Sequence, residues 1–134
     1  MARPSVVSEP VAPEWRHVTW RYAVREIVLI VHFIGLASLL GGFLVQTKSA
    51  PRVVNNAMVH GIITQLVTGV LLVGIAESDD APVDHAKVGV KLTVAVIVAV
   101  LVFANRKRDV ISTGAWALIG GLTIANIVVA VFWR

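Results

Sequence analysis

Four side-chain types in this chain can do chemistry from within an apolar setting: imidazole, ammonium, carboxamide and hydroxyl. His32 lies in IVLIVHFIGLASLLGGFLVQ, residues 27 to 46, which ends on Gln46. AMVHGIITQLVTGVLLVGIA carries His60, Thr64, Gln65 and Thr68; VDHAKVGVK carries His85, Lys87 and Lys91; the last apolar block carries Thr123 and Asn126. A histidine in such a block can ligate a metal or a haem iron, or carry a proton. A buried lysine can face an anion such as a haem propionate or a substrate carboxylate. Carboxamides and hydroxyls can join helices by hydrogen bonds or line a polar path.

Spacing limits these options. The chain has no cysteine, which excludes disulfides, iron–sulfur clusters, thiolate haem ligation and cysteine nucleophiles. It has no GxSxG, HExxH, Walker or dinucleotide motif and no carboxylate pair within the apolar blocks, so hydrolase chemistry lacks carriers. ESDD with Asp84 does not have the spacing of a calcium loop. His32 lies about 7 to 8 Å inside one edge of its block and His60 about 4 to 5 Å inside the opposite edge. Across a hydrocarbon core of roughly 30 Å their levels differ by around 18 Å, far too much for one metal with bonds near about 2 Å. Two separate groupings are expected instead: His32 with Lys91, and His85 adjoining, toward the chain termini; Gln46 with His60 and Thr64 toward the other side.

The elements that must position these groups belong to a membrane. Apolar residues make up 57% of 134 positions and the mean hydropathy is +0.81, against about 45 to 50% apolar in soluble domains. Blocks at 27–46, 58–76, 88–104 and 110–133 are long enough for helices of about 20 residues to cross the core, with Lys87 and Arg106 extending the third by snorkelling. TKSAPRVVNN, ESDDAPVDHAK and NRKRD are short, polar connections, which force antiparallel neighbours. The blocks have no period-two alternation, so a barrel is not indicated. The expected fold is all-α: one domain over 1–134, an antiparallel four-helix transmembrane bundle. Its polar and interfacial segment, 1–25, has Pro13 at a first helical position and Trp15, Arg16, Trp20, Arg21, Tyr22 and Arg25 at headgroup depth. MARPSVVSEPVAPEWRHVT has no apolar core, so the first block is expected to be a retained span. The net charge of +4 sits in short groups between spans and reads as lipid contact, with no nucleic-acid face. Lys and Arg divide evenly between the two sides, so orientation stays open.

Phase then decides which polar residues point inward. Thirteen strong apolar residues in the first span supply roughly −4 to −8 kcal/mol of insertion energy, enough to carry His32 and Gln46 without any function. His32, Gly35, Leu39, Gly42 and Gln46 follow spacings of three and four, the seam of a left-handed bundle. Gly35, Ser38 and Gly42 are expected to serve close helix packing, as are Ala117, Gly121 and Ala125 in the last span, with Asn126 making an interhelical hydrogen bond. Thr64 and Thr68 can bond back to the preceding turn.

His32 followed by Gly35, Gly41 and Gly42, with a third helix that starts HAKVGVKL and ends ANRKR, resembles the small helical module of CopD-type copper-resistance proteins and HemJ-type haem-associated proteins. It is also similar to small four-span proteins of actinobacteria. That resemblance covers about a third of the chain and implies a bacterial plasma-membrane bundle whose first-helix His32 and third-helix Lys91 serve a haem or metal, with Lys87 and His85 as further matches. The sequence departs from those families in its shorter length, its sparse Met and His, and in His60, which has no counterpart. Three functions are therefore carried forward. The first is an accessory or self-assembling subunit without catalysis of its own, forming a homo-oligomer or docking on a larger membrane complex. The second is a haem b module using His32 with Lys91 nearby. The third is a small transporter or channel that uses Gln46, His60, Thr64 and Asn126.

Overall fold

The computed structural model describes residues 15–133, with side chains from residue 19 onward. Pro13 and the side chains of Trp15 and Arg16 lie outside the described residues. Four helices make up the described chain: α1, Trp15–Leu44; α2, Asn56–Ser78; α3, His85–Asn105; and α4, Thr113–Phe132. All four are long and apolar enough to span a bilayer. α1 has 30 residues, about 45 Å of rise against a core of roughly 30 Å. The interfacial turns expected before the first span therefore continue into it without a break, and Arg21, Tyr22 and Arg25 stand exposed on them.

Local chemistry sets the helix ends. Asn55, Asp84 and Ser112 cap α2, α3 and α4 by accepting from the backbone N–H of Met58, Lys87 and Ala115, so each satisfies a donor that the first turn leaves free. The last carbonyls of α1 have the converse problem. Gln46 Nε2 and Asn55 Nδ2 both donate to the Gly42 carbonyl, at 2.7 and 2.9 Å, and Val53 N donates back to Gln46 Oε1 at 2.7 Å.

Short connections make the neighbours antiparallel, and each helix packs on two others: α1 on α2, α2 on α3, α3 on α4, and α4 back on α1. α1 and α2 meet most closely. A Cβ at Gly61 would lie 2.5 Å from Leu39 N and 2.8 Å from the Gly35 carbonyl, and one at Gly35 would lie 2.7 Å from Thr64 Cγ2; only glycine admits this approach. Large apolar side chains such as Ile30, Ile34, Val70 and Val100 face outward, as they do when the solvent is lipid.

The core is confined to one half of the bundle. Leu39, Met58, Ile62, Val98, Ala99, Val102 and Ile119 form it, and all lie toward the side opposite the termini. Phe43 stacks on Trp116 at 4.3 Å beneath it, and Arg52 lies 4.4 Å over the same indole. The half nearer the termini is held at its rim by Arg21 to Asp79 at 2.9 Å and by Lys87 Nζ donating to the Trp133 carbonyl at 2.6 Å.

Candidate functional site

His32 is held by α2. The Thr68 hydroxyl has a single proton, and it donates that proton to the Thr64 carbonyl one turn earlier. The contact of 2.8 Å between Thr68 Oγ1 and His32 Nδ1 must then run from the imidazole to the hydroxyl. Nδ1 carries the proton, and a neutral ring has its lone pair on Nε2. No hydrogen bond from the described residues engages Nε2. A second α2 side chain, Gln65, donates through Nε2 to the His32 backbone carbonyl. Both bonds cross the glycine contact at Gly35 and Gly61, so the close approach of the helices sets the ring's position.

Beyond this pair the bundle opens into two cavities. The larger, about 530 Å³, lies between α2, α3 and the connection joining them. Its walls are mainly apolar, Lys87 and Lys91 line its α3 side, and Glu77 and Asp84 stand at its mouth on the terminal side. The smaller, about 310 Å³, lies between α1 and α4. Both reach the same inner residues: His32, Gln65, Leu72, Lys91, Ala95 and Asn126. One residue from each of α1 and α4 and a pair from each of α2 and α3 thus line the region where the two cavities join.

Comparison with models of protein families, with curated proteins and with solved structures finds no match for this chain. The site must be read from its own chemistry.

His32 and Lys91 fall together, and Lys87 lies one turn from Lys91 on the same cavity wall. His85 does not join them: it is the exposed first residue of α3, 4.0 Å from Glu77, because Asp84 caps that helix and turns His85 outward. The expected Gln46, His60 and Thr64 cluster does not form. Gln46 is buried and closes the end of α1, whereas His60 is exposed and Thr64 packs on Gly35. A four-residue step turns a helix by about 400°, so His60 lies some 80° around α2 from the buried Thr68. The same eight residues put His60 about 12 Å of rise from the His32 level, too far for the two imidazoles to share one metal ion.

In α4 the expected packing face is reversed. Ala117, Gly121 and Ala125 are exposed, and nothing lies within 4 Å of a Cβ built at Gly121. The buried face is Ile119, Gly120 and Thr123, about 160° around the helix; Gly120 sits against the Phe43 ring. Among the described residues Asn126 makes no interhelical hydrogen bond, and its Oδ1 is buried without a partner. Ser38 and Gly42 do pack, the former donating to the Ala57 carbonyl at 2.9 Å.

Among the described residues no group of three or more metal-ligating side chains converges. A porphyrin brings its own four nitrogens and asks the protein for an axial base, so a lone imidazole with an open Nε2 suits haem better than a bare ion. Two lysines on the same wall suit its carboxylates. The cavity volume also falls within the roughly 300 to 1,000 Å³ of cofactor pockets. Thr68 is the residue that sequence reasoning missed as His32's partner. Its signal is its place on the α2 face that carries Thr64 and Gly61, which only the glycine contact aligns with the α1 seam.

Proposed function

We propose that this chain is a cofactor-binding module of a bacterial plasma membrane and that its cofactor is haem b, seated in the α2/α3 cavity. The observation that carries this reading is the orientation of His32: Thr68 Oγ1 accepts a hydrogen bond from Nδ1–H, so Nε2 remains a free base beside the cavity. A ligating histidine normally donates its other ring N–H in this way, which fixes the tautomer and the ring plane. Lys91 and Lys87 would neutralise the two propionates, and the apolar walls would exclude water from the macrocycle. Bound haem supplies one-electron chemistry; the protein's part is to bind, orient and shield.

Protein purified in mild detergent is expected to show a Soret band, directly or after addition of haem, and His32→Ala is expected to lose it. A wild-type protein with no Soret band after reconstitution would refute the assignment.

A second reading, an accessory or self-associating subunit, draws support from Ala117, Gly121 and Ala125, which face outward as a small-residue stripe of the kind that lets membrane helices approach. Native mass spectrometry is expected to find an oligomer or a bound membrane partner. A strictly monomeric chain that co-purifies with nothing would remove it.

A further inference from the structure

The cleft between α1 and α4 has a different character from the α2/α3 cavity. α1 and α4 touch least of the four adjacent helix pairs, and the cleft of about 310 Å³ between them is walled by Leu29, Phe33, Leu36, Ile127, Ala130 and Val131. Phe33 and Val131, at its rim, are exposed on the lipid-facing surface at 59% and 60%. The outer part of the cleft thus meets acyl chains, not water.

Its inner end is polar and unsatisfied. Lys91 lines it and has no carboxylate partner among the described residues, whose ion pairs are Arg21 with Asp79, Arg25 with Glu26 and His85 with Glu77. Asn126 lines it too, with Oδ1 buried and unpaired. Lys91 is six residues into α3, about 9 Å of rise below the helix start, so its ammonium must find an anion in the bundle or reach back to the headgroups. A carboxylate supplies what both can use: oxygens that accept from Lys91 and, once the carboxamide turns over to bring Nδ2 into the buried position, from Asn126.

We propose that the α1/α4 cleft is a lateral port for a long-chain carboxylic acid from the bilayer. The head lies between Lys91 and Asn126 and the chain runs out past Ala130 and Phe33 into lipid. A cleft of this volume is at the small end of ligand pockets, which fits a head and the first part of a chain whose remainder stays in the membrane. The port does not depend on haem, but the two cavities meet at His32, Lys91 and Asn126, so palmitate is titrated before haem is added.

Delipidated protein in mild detergent is titrated with palmitic acid and, as the uncharged comparison, hexadecanol, with stoichiometry read by native mass spectrometry. One palmitate per chain is expected, bound about tenfold more tightly than hexadecanol, the worth of a charge-assisted hydrogen bond. Lys91→Met and Asn126→Leu should each bring palmitate down to the hexadecanol level. Ala130→Trp, and Leu29→Trp from the opposite wall, should block both ligands, whereas Val128→Trp on the outer face of α4 should block neither; each variant is checked for helicity and monodispersity. Equal binding of acid and alcohol, or wild-type binding by both folded cleft-filling variants, would overturn the port. The Soret band is read on the same samples. Palmitate binding with no Soret band after haem addition rejects the haem assignment alone, and a Soret band with no palmitate binding rejects the port alone.

Discussion

Asn126→Leu tests whether this carboxamide serves the fold or a ligand. Leucine has the same branched arrangement of side-chain heavy atoms, with bulkier methyl groups, and removes a carbonyl whose oxygen is buried without a partner. A polar group left unsatisfied costs about 1 to 3 kcal/mol in desolvation, and the substitution returns that cost while adding only a modest apolar contact to a cavity wall. The unfolding free energy should rise by about 1 to 3 kcal/mol. If Asn126 instead joined two helices, its loss would lower stability by about 0.6 kcal/mol and by at most about 1.7 kcal/mol, the range of interhelical hydrogen bonds in bilayers. The two accounts differ in sign, so the measurement does not need high precision. Reversible unfolding in mixed micelles with increasing SDS, followed by far-UV circular dichroism and tryptophan fluorescence, reads it directly. A variant less stable than the wild type would refute the reasoning and return Asn126 to a packing role.

Three other substitutions probe the parts that position the site. Thr68→Val removes the acceptor for His32 Nδ1, and apparent haem affinity from Soret titration should fall about 10- to 100-fold; an unchanged affinity would separate Thr68 from the site. Gly61→Val puts a branched side chain against the α1 backbone and should destabilise by at least about 1 to 3 kcal/mol, while Gly121→Val, with open space around it, should stay within about 0.5 kcal/mol of wild type; similar values for both in SDS titrations would contradict the α1/α2 contact. Gln46→Leu strands the Val53 N–H and should cost about 1 to 3 kcal/mol, measured the same way, and a neutral result would mean that water satisfies the loop.

The four spans and the α1 seam are legible in the sequence for the same reason: both follow from hydropathy and a single helical period. His32, Gly35, Leu39, Gly42 and Gln46 recur at three and four, and four of them, from Gly35 to Gln46, are buried while His32 is half-buried. α4 is not legible in this way. Gly120 and Gly121 are neighbours, small residues occur on both faces, and in lipid an outward face is as apolar as an inward one, so composition cannot say which glycine meets Phe43. His60 fails for a related reason, because spacings of four drift by some 40° a step and two steps carry it from the interior to the surface. Gln46 has the burial that the seam implies but a different task, since the loop that needs its carboxamide, Val53 and Asn55, comes close only once α2 has docked. The meeting of His32 with Lys91 follows from depth alone; Thr68 as the imidazole's partner does not, because it requires the rotation of α2 about its own axis.

Met58, Ile62, Val98, Val102 and Ile119, all essentially without exposed surface, plug the leaflet farther from the termini, and the smaller cavity ends against two of them, Ile62 and Val98. The space beside the imidazole is therefore backed on that side by packed aliphatic side chains. Among the described residues, a path from the imidazole to the far leaflet would have to displace these side chains.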